Sequence, residues 1–191
     1  MDAPRAAKSG SNMEFEHLPL AGARLICAAP ILDERGSFER IVSAASLRRE
    51  GLIASFPEIS LSENDIEGTR RGMHFQRAPY EEAKIVRCIR GAIFDVIVDI
   101  RRESLTFGRA YGTVLKAGEH RSLYIPCGFA HGFQTLEAHS TVLYLISEPY
   151  SPEHAAGFSS DDPTLGIQWP GPPSRTSPRD RGLPLLRALT L

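Results

Sequence analysis

The chain has 191 residues, with 22 Lys and Arg against 23 Asp and Glu and a formal net charge of -1. That length fits one domain, and the balanced charge lacks the electrostatic footprint of a nucleic-acid binder. A hydrophobic fraction of 42% supplies a sizeable core, yet no apolar run approaches the ~20 residues of a membrane-spanning helix; neither nucleic acid nor membrane is an expected partner.

Residues 1–14 lack an apolar signal core and read as a disordered leader. The folded domain is expected over 15–185, with a tail over 186–191. The segment 43–51, SAASLRREG, predicts a short helix capped by Ser43 and stopped by Gly51. If 71–76, RGMHFQ, is a strand, Met73 and Phe75 face one way and Gly72, His74 and Gln76 the other. Residues 83–101 hold two β-branched runs split by Arg90 and Gly91, a pattern that predicts a hairpin. In its second run Phe94, Val96, Val98 and Ile100 share one face, and Ile93, Asp95, Ile97 and Asp99 share the other. Further strands are expected within 109–116, 121–126 and 140–147. Short, evenly spaced strands without helical periodicity give an all-β sandwich or jelly roll. Residues 169–184 are dense in proline, which excludes a helix or a central strand and leaves an extended segment that either wraps the surface or hangs free. Cys27, Cys88 and Cys127 are odd in number and far apart, which fits a reduced, cytoplasmic protein.

Four residues could carry chemistry. His74 lies between a glycine and a glutamine on one strand face, where it either looks into a cavity or is a plain surface histidine. Lys84 opens a β-branched strand, either as a solvated gatekeeper or as a fixed cation for an anionic group. Tyr144 shares a face with Val142 and Ile146 and is either core or a proton carrier. His131 closes the run Pro126-x-Gly128-x-x-His131, the core of the second cupin motif, which turns a histidine into a barrel. Metal-binding cupins add an H-x-H pair and a Glu. Here His74 stands alone, and two histidines plus Glu81 or Glu82 make a thin ligand set, so no metal is expected.

Together these segments resemble the dTDP-4-dehydrorhamnose 3,5-epimerase family. RGMHFQ at 71–76, YIPCGFAHGF at 124–133, VLYLISEPYSPE at 142–153 and DERGSF at 33–38 carry the likeness over roughly residues 15–185. The resemblance implies a cupin-type jelly roll (a double-stranded β-helix), a homodimer, no cofactor and a nucleotide-diphosphate 4-keto-sugar substrate. By that resemblance His74 is the catalytic base, Tyr144 the acid and Asp180 the carboxylate behind the base, with Lys84 beside the sugar carbonyl. Arg35, Phe38, Arg71, Gln76, His131, Tyr150 and Arg179 form the implied substrate-binding set.

The residue types suit the task. A proton α to a ketone is weakly acidic, and a neutral imidazole can remove it. A carboxylate behind the ring fixes its tautomer, and a lysine stabilises the developing oxyanion. Arginine forks match phosphate oxygens. The sequence departs from the family at Ile59 and Leu61, where a Gln-x-Asn pair is usual, and at Arg40 and Ala155, where glutamates are usual. Leu145 and Pro149 replace a lysine and a tyrosine. These changes touch nucleotide recognition rather than proton transfer, so an altered or loose nucleotide preference is expected. A relative for another nucleotide sugar, a single-centre epimerase, a sugar-binding cupin without activity and a metal-dependent cupin oxygenase are the alternatives.

Overall fold

The computed structural model describes residues 13–189. Its strands are, in chain order, β1 (Met13–His17), β2 (Arg24–Ala28), β3 (Ile31–Asp33), β4 (Gly36–Phe38), β5 (Glu58–Asn64), β6 (Thr69–Gln76), β7 (Lys84–Arg90), β8 (Ala92–Asp99), β9 (Ala110–Lys116), β10 (Arg121–Ile125), β11 (Phe129–Thr135), β12 (Ser140–Ile146), β13 (Ala155–Gly157) and β14 (Arg175–Thr176). Two short helices are present, α1 (Ala44–Arg49) and α2 (Pro178–Arg181).

The strands form a jelly roll of two facing sheets. The first has the order β1-β2-β10-β7-β12-β5, and the second has β13-β6-β11-β8-β9 with β14 alongside β6. Leu25, Val86, Leu123 and Val142 of the first sheet meet Ile93, Ile97, Leu115 and Phe133 of the second in the central core. The alternation read in 93–100 holds: Ile93 and Ile97 face this core, whereas Val96, Val98 and Ile100 face a second cluster. Phe158, Leu165, Trp169 and Leu186 of the C-terminal segment cover that second cluster. Helix α1 covers the far face of the first sheet through Leu47. Its predicted cap is in place, with Ser43 accepting from the Ser46 N–H, and Gly51 follows at φ +69°, the left-handed conformation that ends helices.

Three expectations need correction. Residues 83–101 are not a hairpin: β7 lies between β10 and β12, while β8 lies between β11 and β9 in the opposite sheet. The Arg90–Gly91 turn carries the chain from one sheet to the other, because both strands bury their inner faces against one shared core. The proline-dense segment does form the one-turn helix α2, with Pro178 in its first turn and Ser177 capping it. Proline is favoured there, where its missing N–H would have had no partner. The folded unit also exceeds its expected limits. Met13 and Glu14 pair with Ala28 and Cys27, and Leu186 is buried, its N–H donating to Asp162 at 2.8 Å. The rest of the expected leader, residues 1–12, lies outside the described residues, as do 190 and 191 of the tail.

Asp99 ends β8 and organises the following loop. It accepts from Arg101, Ser104 and Thr106. Burial alone would raise its pKa, but these hydrogen bonds outweigh it and hold the carboxyl at about 2. An unfolded aspartate titrates near ~3.9. The folded pKa is the lower one, so the stabilisation is complete above the unfolded value and lost as pH falls toward 2. At ~1.4 kcal/mol per pKa unit, Asp99 contributes on the order of 2.5 kcal/mol. Denaturant unfolding of Asp99→Asn between pH 7 and 2.5 should show that loss at neutral pH and a flatter acid limb than the parent.

Candidate active site

The site sits where β6 and β11 cross closely. Gly72 has φ +107°, and a Cβ there would lie 2.5 Å from Gly132 Cα and 2.7 Å from the His131 carbonyl oxygen. Any side chain at 72 would therefore push the strands apart. Their contact pairs His74 with His131. Both histidines line an open cavity of about 1210 Å³, together with Lys84 and Tyr144 from the first sheet.

His74 Nε2 lies 2.7 Å from Asp180 Oδ1. The other Asp180 oxygen accepts from the Gly72 N–H at 3.2 Å, and Ser177 Oγ accepts from the Asp180 N–H. Burial pushes the Asp180 carboxyl up, but the His74 hydrogen bond and charge, with the Gly72 N–H, bring it below the usual carboxylate range. An ionised carboxylate only accepts, so Nε2 carries the ring proton and Nδ1 is left basic.

Tyr144, on β12, stands in the opposite wall. Its ring meets the edge of His131 at 5.8 Å between centroids and 72°. Burial, with the negative charge of Asp95 added, pushes its pKa far up, against the opposing effect of Arg71. The hydroxyl therefore stays a neutral donor. Lys84 pairs with Glu82 at 2.8 Å, both side chains largely buried. Asp95 is the residue that the candidate set missed. It is fully buried and holds His131 Nε2 at 2.7 Å. Its signal was present in the alternation, which put a carboxylate on the same face as Ile93 and Ile97.

Of the expected binding residues, Arg71 and Arg179 line the cavity, near Arg175 and Arg181, and Arg71 is steadied by Asn64 Oδ1 at 2.8 Å. Tyr150 borders an adjoining side pocket with Ala155 and Arg179. Gln76 lines that pocket too, but its amide is occupied: it donates to the Tyr80 and Pro149 carbonyls and accepts from the Ser151 N–H. It shapes the Tyr150 loop and does not present a free group. Arg35 and Phe38 are not brought to the cavity of their own chain. They project on the exposed β3–β4 hairpin, where Arg35 bonds Asp33. Ile59 and Leu61 are exposed on β5, while Ser60 between them pairs with Tyr144. Among the described residues no group of three or more His, Cys, Asp or Glu is arranged to hold a metal ion.

This arrangement can remove a proton on one side of a bound molecule and return one on the other, beside a fixed cation. The sequence model of the dTDP-4-dehydrorhamnose 3,5-epimerase family matches residues 17–188. The enzyme of that name from Sinorhizobium fredii is 39% identical over 158 residues, covering 83% of this chain and 81% of its own. The crystal structure of dTDP-4-dehydrorhamnose 3,5-epimerase from Bacillus anthracis, with TDP and pyrophosphate bound, is similar at a TM-score of 0.87 and 39% identity, over 91% of this chain and 99% of that one. A 3'-monoepimerase from Streptomyces bikiniensis, in complex with dTDP-quinovose, is similar at 0.82 and 31%, over 89% and 86%. The chain belongs to the dTDP-4-dehydrorhamnose 3,5-epimerase family.

Proposed function

We propose that the chain inverts carbon centres α to the 4-keto group of a nucleotide-linked 6-deoxyhexulose, without a cofactor. One observation carries this reading: a carboxylate-backed histidine and a tyrosine stand on opposite walls of one cavity, His74 on β6 of the second sheet and Tyr144 on β12 of the first. His74 Nδ1 takes the proton of the α carbon. The electron pair moves onto the carbonyl oxygen, and the Lys84 ammonium stabilises the enolate. Tyr144 then gives its hydroxyl proton to the opposite face of that carbon, which inverts it. The phenolate so formed is strongly disfavoured where it is buried, so it regains a proton and the imidazolium loses one to solvent. Arg71, Arg175, Arg179 and Arg181 around the cavity suit a diphosphate. Incubation with 4-keto nucleotide sugars in D₂O tests the reading, because deuterium at C3, C5 or both reports which centres are opened. No uptake from any of them would overturn it.

The unpaired cysteines support cytoplasmic work. A homodimer is supported by exposed Ile31, Leu32 and Phe38 on the hairpin and Ile59 and Leu61 on the edge strand β5. A solution mass of a single 21.0 kDa chain would exclude it.

Nucleotide preference should be loose. Leu61 on the main cavity and Ala155 on the side pocket offer no hydrogen-bonding side chain, and apolar contacts discriminate weakly between bases. Titration calorimetry with dTDP, UDP, CDP and GDP is expected to give affinities within about tenfold of one another, which is ~1.4 kcal/mol. A preference for dTDP near ~100-fold, or ~2.7 kcal/mol, would show that other groups recognise thymine.

A further inference from the structure

Arg70 and Arg71 are neighbours on β6 with different surroundings. Both border the cavity, and Arg71 also reaches Asn64. The Arg70 side chain is only 2% exposed, which is rare for a cation unless its partners are fixed. Its guanidinium donates to Asp161 Oδ1 at 2.6 Å, to the Gly171 carbonyl at 2.8 Å and twice to Gln134 Oε1, at 2.9 and 3.2 Å. It also lies 4.4 Å over the ring of Trp169.

These partners fall into two groups. Gln134 belongs to β11, the strand that carries His131. Asp161, Trp169 and Gly171 belong to the C-terminal segment that carries Asp180. From Gly171 that segment has little structure of its own. The Ser174 N–H donates to the Gly68 carbonyl at 3.0 Å, and the two residues of β14 run parallel to Thr69 and Arg70. Then Ser177 caps α2, and Asp180 reaches Gly72 and His74. Arg70 thus grips the segment upstream of the point where its carboxylate meets the base, two residues before Gly72 on the same strand.

We propose that Arg70 is a positioning residue, whose fork holds the C-terminal segment against β6 and so sets Asp180 behind His74. A planar guanidinium bonds several acceptors at fixed angles, whereas a lysine ammonium is a point charge that cannot hold all three partners together. Small displacements of a catalytic group are costly, on the order of 10²-fold for about 1 Å. The kinetic part of this inference rests on the epimerase reading.

The test compares the parent chain with Arg70→Met and Arg70→Lys. The ¹⁵N shifts of the His74 ring report which nitrogen holds the proton, and need no substrate. The parent should show the Nε2–H form, and Arg70→Met a mixture of tautomers. With substrate, kcat for deuterium uptake should fall by about 10- to 100-fold, while KM stays within a few-fold because the protein already engages the guanidinium. A folded Arg70→Met with the parental tautomer and kcat would overturn the proposal, since a purely structural role lowers stability alone. Should Arg70→Met not fold, Arg70→Lys decides: a mixed tautomer supports the proposal and the parental signature overturns it. A parent chain inactive on every 4-keto nucleotide sugar would remove the epimerase reading, and the tautomer comparison would still decide the role of Arg70.

Discussion

His74→Asn is expected to abolish deuterium uptake from D₂O at the carbons flanking the keto group, with the fold and ligand binding kept. Asparagine is smaller than histidine and carries no basic nitrogen, and its amide can still donate toward Asp180. The His74 side chain is 37% exposed into the cavity, so its loss removes little core packing. Removing one acid–base group typically costs ~10²–10⁴-fold. The loss should reach the upper end of that range, because Asp180 lies behind the ring that the variant removes, and His131, though also backed by a carboxylate at 2.7 Å, turns its ring against Tyr144. Exchange followed by proton NMR, beside circular dichroism and calorimetry with a nucleoside diphosphate, separates lost chemistry from lost structure. Near-parental exchange in the variant would end the epimerase reading.

The strands that build the cavity walls were legible because their signals are local. Alternation placed Met73 and Phe75 in one cluster and His74 opposite them, and Ser43 marked its helix through an oxygen that reaches three residues ahead. The pairing of β7 and β8 was not legible. A glycine turn between two β-branched runs looks the same whether the strands bond each other or face each other across a core. What separates the cases is the long-range choice of partners, β12 and β10 for β7 against β11 and β9 for β8. The short helix at 178–181 was hidden by the prolines around it, although Ser177 before Pro178 is itself a helix start signal.

The proposed catalytic constellation was legible only through family likeness. His74 and Asp180 are 106 residues apart in the chain, and no periodicity connects them. Asp95 shows the converse. Its inward position was readable from the strand, but its partner His131 lies 36 residues away, and a lone carboxylate on an apolar face does not say what it holds. Arg35 and Phe38 matched binding positions by motif, yet the β3–β4 hairpin carries them away from the cavity of their own chain. A motif match fixes residue types and order; it does not say whether a residue reaches the cavity of its own chain.

Tyr144→Phe should separate exchange from inversion. The substitution removes one oxygen and keeps the ring against His131. Among the described residues the Tyr144 hydroxyl has no hydrogen-bond partner in the protein, so stability should change little. His74 can still open the α carbon and return a proton to the face it came from. In D₂O the variant is therefore expected to exchange the α hydrogen with retention of configuration, at a rate reduced no more than about tenfold. Inversion needs a donor on the first-sheet wall and should fall by about 10²-fold or more, in the range of a lost general acid. Lys84 lines the same cavity, but its ammonium is paired with Glu82 at 2.8 Å, which holds it for the carbonyl oxygen rather than for the carbon. NMR of recovered sugar reads both quantities at once, deuterium content from the lost proton signal and configuration from the ring couplings. Parental inversion and parental exchange together would reduce Tyr144 to a packing residue and move the acid elsewhere in the cavity.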